Sequence, residues 1–358
     1  MKKFLYSFFP NIFFFLVCFF VIDLVISNSI LNLSDKGCKH VERYYIALKK
    51  NCNGKEKLRA TMPTTNIFTD DKGLRIKEGH KRSAKNKVYA FGSSFIYGAG
   101  LEFEQSVIGI LENNHKQYEF YNFSYPYGSP TVHLFNLTNE LNSESNPKKI
   151  LFFLSMSDIL SEISVWGDND SSGRPMLMTD ELFRKANKKE KFVKKNFKLS
   201  RSIAHSVRDF LRAMRNKDKK NNNLEVRTTI QAGYTYTPLE KLKPYYNDTN
   251  FDLGKNKIKN KINKTISVLK ERNIEFYLII FPFADTLEYG QKYFDWEKYA
   301  KSLCKKNCNF INSFESFVNY KKKNKNWYKK LFFSGDEHYT TIGHKVLAEK
   351  ISQEVFNN

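Results

Sequence analysis

The sequence lacks the glycine-rich patterns that identify most nucleotide-binding sites. Its glycine-rich stretch, VYAFGSSFIYGAG, covers residues 88–100. A phosphate-binding loop needs Lys and then Ser or Thr after the last glycine, but Leu101 and Glu102 stand there. The dinucleotide spacing G-x-G-x-x-G is missing, and Ile96 replaces the last glycine of the G-x-S-x-G nucleophile elbow. Two interpretations remain, an ordinary turn with capping serines or a turn that carries a catalytic serine.

Acidic residues are scarce, with 37 Asp and Glu against 59 Lys and Arg, which gives a net charge of +22. Such an excess often indicates an anionic partner. No nucleic-acid-binding module is recognisable, and Lys, Asn, Ile and Phe are enriched together, so we predict no nucleic-acid partner. A hydrophobic content of 41% over 358 residues is enough for one large domain or two small ones.

Cysteine is also rare, with five residues in the chain. Cys18 lies inside an apolar run, where it is expected to pack. The other four form an even number, which suggests disulfides and allows three pairings. The simplest prediction pairs sequence neighbours, Cys38 with Cys52 and Cys304 with Cys308. Free thiols are the alternative, and zinc is disfavoured because no His stands at ligand spacing beside either pair.

The chain has one long apolar segment, at its N-terminus. Residues 4–26 are mostly apolar and follow Lys2 and Lys3. A stretch of 23 residues is long enough to cross a bilayer, and the preceding lysines predict a cytoplasmic N-terminus. We therefore predict a single-pass anchor in the cytoplasmic membrane with the remainder extracytoplasmic (periplasmic). A signal peptide cleaved near the small residues 27–29 is the alternative.

Beyond this segment, short apolar runs alternate with helical patterns. Amphipathic periodicity in residues 255–272 and at the C-terminus predicts helices. Strands separated by helices indicate a parallel sheet covered on both faces, with ligands bound beyond the carboxyl ends of its strands. The predicted strands are residues 87–92, 118–124, 148–155, 274–281 and 309–314.

Two distant segments contain the residue types of a serine triad. Ser94 follows a predicted strand at a turn, where a hydroxyl would project above the sheet and helix-start N–H groups could stabilise an anion. Asp336 stands two residues before His338, and in extended chain such residues point the same way. The carboxylate could then accept the imidazole Nδ1–H and turn Nε2 toward a hydroxyl.

These segments resemble those of SGNH/GDSL-type hydrolases. GLRIKEGHKRSAKNKVYAFGSSFIYGAG is similar to the opening of exported members, and DEHYTTIGHKVLAEKI is similar to their closing block. YNFSYPYGSP (121–130) and LFFLSMSDIL (151–160) resemble the two middle blocks more weakly. The resemblance implies a three-layer αβα sandwich around a five-stranded parallel sheet, a flavodoxin-like arrangement. It divides the chain into an anchor (1–30), a linker and N-terminal extension (31–85) and a hydrolase domain (86–358).

The resemblance also assigns roles. Ser94 matches the nucleophile, His338 the general base and Asp336 its orienter, and no metal or cofactor is implied. The oxyanion hole would use the N–H groups of Ser94 and Gly128 and the side chain of Ser157. Ser157 departs from the family pattern, which has Asn there, and Ser93 replaces the Asp of G-D-S.

Other features are less specific. Asp285 follows the fourth strand and is predicted at the site rim, either in contact with substrate or capping a loop. His133 could line the pocket, although the pattern favours a surface or capping role. An insertion at about 162–253 contains residues 184–220, which have a net charge of +12 and are predicted to form a solvated cap helix or a basic lid.

The sequence thus predicts an anchored serine esterase that hydrolyses acyl esters, O-acetyl above all, on envelope or exported polysaccharide. The partners expected are this ester substrate, the membrane and, as candidates, envelope glycan-assembly proteins. Two alternatives stay open. One is a polysaccharide O-acyltransferase with the same triad, and the other is a catalytically degenerate glycan- or membrane-binding protein.

Overall fold

A computed structural model of the chain describes residues 14–15, 17–26, 37–41, 46–59, 61–83, 86–143, 146–169, 175–177, 229–242 and 248–357, with single positions 200, 203, 204, 207 and 226. The chain divides into two compact units. The first contains Met1–Lys36 and Thr179–Glu225, and the second contains Gly37–Met178 and Val226–Asn358. The candidate triad lies entirely within the second unit.

The N-terminal extension, predicted as part of residues 31–85, forms two small antiparallel sheets within the second unit. The hairpin β1–β2 and the sheet β3–β4–β5 are joined by a disulfide between Cys38 and Cys52. A second disulfide links Cys304 and Cys308. Both predicted neighbour pairings are therefore confirmed. The strands are β1 (Lys39–Val41), β2 (Ile46–Leu48), β3 (Asn53–Glu56), β4 (Thr65–Thr69) and β5 (Arg75–Ile76).

The central sheet has five parallel strands in the order β12-β11-β8-β6-β7. All six residues of β8 are buried, as expected for a parallel strand covered on both faces. Each strand coincides with a predicted apolar run, so the predicted five-stranded parallel sheet is confirmed. Its strands are β6 (Asn86–Phe91), β7 (Tyr118–Asn122), β8 (Lys149–Leu154), β11 (Glu275–Ile280) and β12 (Asn309–Asn312). A separate hairpin is formed by β9 (Trp166–Asn169) and β10 (Pro175–Leu177).

The helices pack in two groups, and the order of the strands in the sheet explains this division. The helices are α1 (Ser94–Tyr97), α2 (Val107–Asn114), α3 (Pro130–Ser143), α4 (Ser157–Ser164), α5 (Ile230–Tyr236), α6 (Asp248–Lys270), α7 (Ala284–Tyr289), α8 (Trp296–Leu303), α9 (Phe314–Lys323), α10 (Trp327–Leu331) and α11 (Thr341–Ile351). Helix α2 packs against α11, whereas α6 packs against α3, α4 and α8. The chain runs from β6 outward to β7 and then back past β6 to β8, so right-handed crossovers place these two groups on opposite faces. The switch point lies between the carboxyl ends of β6 and β8, where α1 and α4 begin.

Two predicted features fall largely outside the described residues. Among the residues that the structure describes, no helix combines the length and apolar character needed to span a membrane. The predicted anchor, residues 4–26, includes positions 4–13 and 16, which lie outside the description. Of the basic segment 184–220, only positions 200, 203, 204 and 207 are described. The anchor and the basic lid therefore stay predictions.

Candidate active site

Ser94 is the first residue of α1, the four-residue helix that leaves the carboxyl end of β6. Gly92 precedes it where no side chain fits, since a Cβ would lie 2.6 Å from the Ile96 side chain. The helix ends at Gly98, whose φ of 81° lies in the left-handed region that glycine adopts without strain. The glycines therefore begin and end a very short helix that presents Ser94 at the switch point.

The turn after this helix is fixed by Arg75, from the GLR stretch before β6. Its buried guanidinium donates 2.9 Å hydrogen bonds to the carbonyl oxygens of Tyr97 and Gly98 and a further bond to that of Leu101. The carbonyls of Tyr97 and Gly98 are among those that the helix leaves without intrahelical partners at its C-terminus, and that of Leu101 lies in the turn that follows. Burial lowers the pKa of Arg75. Its positive charge lies at the C-terminus of α1, which is the negative end of the helix dipole.

The three predicted triad residues meet in a single hydrogen-bonded chain. His338 Nε2 lies 2.7 Å from Ser94 Oγ, and His338 Nδ1 lies 2.6 Å from Asp336 Oδ1. The backbone N–H of His338 also donates to Asp336 Oδ1 at 3.0 Å. The imidazole stacks on Phe95, with ring centroids 4.7 Å apart. With Nδ1–H donated to the carboxylate, Nε2 is left as the acceptor for the Ser94 hydroxyl.

Asp336 stays ionised although its side chain is completely buried. Burial raises the pKa of the carboxyl, but its hydrogen bonds to His338, the charge of His338 and that of Arg59 outweigh this effect. The pKa of Asp336 is therefore held well below its usual value. An ionised carboxylate is the form that orients the imidazole and stabilises its protonated state.

The predicted oxyanion donors are only partly available. The N–H of Ser94 belongs to the first turn of α1 and has no intrahelical acceptor. The N–H of Gly128 differs from the prediction, because it donates to Tyr125 O at 2.9 Å across a tight turn. Ser157 Oγ, on the first residue of α4, lies 2.7 Å from Ser155 Oγ. Ser155 Oγ also donates to Asp158 Oδ2 at 3.3 Å, so the Ser157 hydroxyl donates to Ser155 when that bond forms, and the Ser94 N–H is the predicted donor that keeps no acceptor in α1.

The turn before Gly128 is strained and tightly packed. Tyr127 has a φ of 66°, which is unusual for a residue with a side chain, and its carbonyl oxygen accepts a 2.9 Å hydrogen bond from Trp166 Nε1. A Cβ on Gly128 would lie 2.7 Å from Gly92 O and 2.7 Å from the His133 ring. Only glycine therefore fits at position 128, a role independent of hydrogen bonding.

A pocket of about 120 Å³ opens beside Ser94. Its lining includes the α4 serines at positions 157, 161 and 164 together with Phe95 and Phe283. Gly128, Arg59 and Glu337 also line it. The pocket is small and mixes hydroxyl groups with apolar surface, which suits a short acyl group next to an alcohol.

Asp285 has the loop-capping role that the sequence left open, not a substrate contact, whereas His133 has neither of its predicted roles. Asp285 is fully buried and accepts hydrogen bonds from Thr229 N, Thr229 Oγ1 and Tyr236 Oη at 2.7, 2.9 and 3.1 Å. It anchors the start of α5 and is not available to substrate. His133 is only 1% exposed and packs between aromatic side chains, so it neither lines the pocket nor caps a helix at the surface.

Glu162, on α4, is a supporting residue that the sequence did not reveal. Its buried carboxylate accepts hydrogen bonds from Ser129 Oγ, Thr131 N and Thr131 Oγ1 at 2.7, 2.9 and 2.7 Å. It thereby caps the N-terminus of α3 and ties the loop containing Gly128 to the pocket wall. A lone Glu in an amphipathic segment carries no pattern that would distinguish it from a surface residue.

Asp336, Glu337 and His338 place one potential metal ligand each within 4.8 Å of the others. Both carboxylates already contact the guanidinium of Arg59, and both nitrogens of His338 have partners. A cation at this position would face a fixed positive charge. The donor set therefore fits an ion-paired triad better than a metal centre.

Comparison by sequence finds no relatives, since no family model and no curated protein match the chain. Several solved structures are similar to it. One, described as a lipolytic protein of the G-D-S-L family from Desulfitobacterium hafniense, is 14% identical, and the match covers 76% of this chain and 100% of that one with a TM-score of 0.37. The psychrotrophic esterase EstA from a Pseudoalteromonas species is 11% identical, with coverages of 76% and 100% and a TM-score of 0.34. A member of the lipolytic G-D-S-L family from Veillonella parvula is 12% identical, with coverages of 76% and 98% and a TM-score of 0.30. At these values the likeness establishes no function for this chain.

Proposed function

We propose that this protein is an SGNH-type serine esterase that hydrolyses short-chain acyl esters. The observation that carries the proposal is the chain from Ser94 through His338 to Asp336, with contacts of 2.7 and 2.6 Å at the mouth of a pocket. Residues 244 positions apart in sequence meet with the donors and acceptors that nucleophilic catalysis requires.

The geometry supports an acyl-enzyme mechanism. Ser94 Oγ attacks the ester carbonyl carbon while His338 Nε2 accepts its proton, and Asp336 stabilises the imidazolium that results. The Ser94 N–H, assisted by the Ser157 hydroxyl, stabilises the oxyanion. His338 then returns its proton to the leaving alcohol. Water, deprotonated by His338, attacks the acyl-enzyme, releases the acid and restores Ser94.

The substrate that we propose is an O-acylated polysaccharide outside the cytoplasm, with acetyl as the acyl group. A pocket of about 120 Å³ has room for an acetyl group. The two disulfides support export, because such bonds persist in oxidising compartments. Attachment to the cytoplasmic membrane through residues 4–26 is part of the same proposal.

A fluorophosphonate probe tests the nucleophile directly, because it reacts only with an activated serine. We expect the purified protein to be labelled and to hydrolyse p-nitrophenyl acetate. Ser94→Ala should abolish labelling and lower kcat/KM by about 1,000-fold or more. Ser93→Ala is the matched control, since the hydroxyl of this buried neighbour has no hydrogen-bond partner among the described residues, and it should retain labelling. Equal labelling of the wild type and Ser94→Ala would contradict the proposal.

A further inference from the structure

Asp336 has a second set of partners on the side opposite His338. Its Oδ2 atom accepts hydrogen bonds from Arg59 Nη1 and Thr61 Oγ1, each at 3.2 Å. The carboxylate is fully buried, so these contacts satisfy an oxygen that solvent does not reach. The two oxygens of Asp336 thus face different partners, the imidazole on one side and the Arg59 and Thr61 side chains on the other.

Arg59 is itself held in place by the residue between Asp336 and His338. Glu337 Oε2 lies 2.8 Å from Arg59 Nη1, and Glu337 Oε1 lies 2.7 Å from Arg59 Nη2. This two-point contact matches the planar guanidinium fork and fixes its orientation, which a lysine ammonium could not reproduce. Glu337 therefore aims Arg59 at Asp336, although 37% of the Arg59 side chain is exposed.

Arg59, which contacts Asp336, comes from the N-terminal extension and not from the loop that carries the triad. Arg59 and Thr61 lie in the connection between β3 and β4, in the N-terminal extension, 277 and 275 residues before Asp336. Cys52, directly before β3, is tied by disulfide to Cys38. The extension thus reaches the triad with defined side chains instead of serving only as a linker.

We propose that Arg59 is a positioning residue for the esterase reaction, supplied by the N-terminal extension to fix the Asp336 carboxylate toward His338. Asp336 then cannot rotate away from Nδ1, and Nε2 stays directed at Ser94. This inference rests on the proposed function. Its prediction for kinetics is specific: loss of Arg59 should reduce the rate of the chemical step and leave ester binding intact.

Kinetics of full-length variants on p-nitrophenyl acetate test the role. We expect Arg59→Met to lower kcat by about 10- to 100-fold, the effect of one lost charge-assisted hydrogen bond, with KM changed less than about 2-fold. Arg59→Lys should recover part of the loss because the charge returns without the fork. Lys57→Met is the matched control, because it removes an exposed positive charge two residues away and should leave kcat unchanged.

A second readout does not depend on turnover. A proton shared between His338 Nδ1 and Asp336 should give a low-field NMR resonance, which we expect to shift or disappear in Arg59→Met and to persist in Lys57→Met. Thermal unfolding would establish that each variant is folded. An unchanged kcat and an unchanged resonance in folded Arg59→Met would overturn the positioning role. Failure of the wild type to react with any ester or fluorophosphonate would overturn the esterase proposal, whereas the resonance would still report on Arg59.

Discussion

His133 should make the stability of this protein depend on pH in a way that one substitution removes. The ring lies between Phe91 and Phe152, with centroids 6.0 and 5.3 Å away, and it is almost completely buried. Neither ring nitrogen has a hydrogen-bond partner within the described part of the chain. Burial lowers the pKa of His133 to about 3, so the ring is neutral in the folded protein.

The size of this pH effect follows from the difference between the pKa of His133 in the folded protein and in the unfolded chain. An exposed histidine in the unfolded chain has a pKa of about 6.5. Because the folded pKa of His133 is lower, its contribution is complete above pH 6.5 and declines as the pH falls toward 3. At pH 5 the protonation of the unfolded chain at this one site removes about 2 kcal/mol of unfolding free energy. Burial also lowers the pKa of His344 to about 3, so that residue adds a similar loss.

Urea unfolding of His133→Leu at pH 8 and pH 5 is the assay. At pH 8 we expect the variant to be at least as stable as the wild type, because leucine buries no unpaired nitrogen. At pH 5 its advantage should increase by about 2 kcal/mol, while the dependence due to His344 remains. Phe91→Leu is the control, since it alters the same packing without a titrating group and should show the same difference from wild type at both pH values.

A stability difference between His133→Leu and wild type that is equal at pH 8 and pH 5 would refute the reasoning. It would mean that His133 titrates in the folded protein near its ordinary pKa, and hence that the ring reaches solvent or an acidic partner. An increase of the same size in Phe91→Leu would also refute it, because the pH dependence would then come from packing.

Two further predictions concern the Glu162 carboxylate and the two disulfides. Glu162→Leu should lower the unfolding free energy by about 3 kcal/mol or more and reduce kcat, because three buried donors lose their acceptor. Glu162→Gln should have a milder effect, because its amide oxygen still accepts hydrogen bonds. Calorimetry and ester kinetics measure both effects. Replacing both Cys38 and Cys52 by Ala should cost about 3 kcal/mol in urea unfolding, since that bond spans 14 residues, whereas the Cys304 and Cys308 pair, which spans 4, should cost less. Equal losses for the two disulfides would contradict the chain-entropy explanation.

Local sequence patterns were sufficient to predict the strands of the central sheet and the residues of the candidate triad. Each strand of the central sheet is an apolar run bounded by polar residues, and fully buried parallel strands such as β8 leave that signal in any context. Ser94, Asp336 and His338 were predictable because turn position and i to i+2 spacing act over a few residues. The neighbour pairing of the cysteines follows from short loops in the same way.

Positions whose role depends on distant partners were not predictable. Gly128 sits in a loop that resembles an oxyanion loop, but the turn closed by Tyr125 takes up its N–H. Asp285 follows a strand end as a substrate contact would, yet Thr229 and Tyr236 surround it. Thr229 and Tyr236 are 56 and 49 positions from Asp285, and the turn that contains Gly128 is held by Trp166, which is 39 positions from Tyr127.

The sequence alone determined the order of strands and helices along the chain and which side chains can perform acyl chemistry, because these depend on hydrophobic period, spacing and intrinsic reactivity. Only the tertiary structure decided that Arg59 reaches Asp336, that Glu162 secures the pocket loop and that the buried His133 ring finds no hydrogen-bond partner among the described residues. Those outcomes depend on how sheets and loops dock, and docking brings together residues from 31 to 277 positions apart by shape and burial, for which a linear pattern contains no signal.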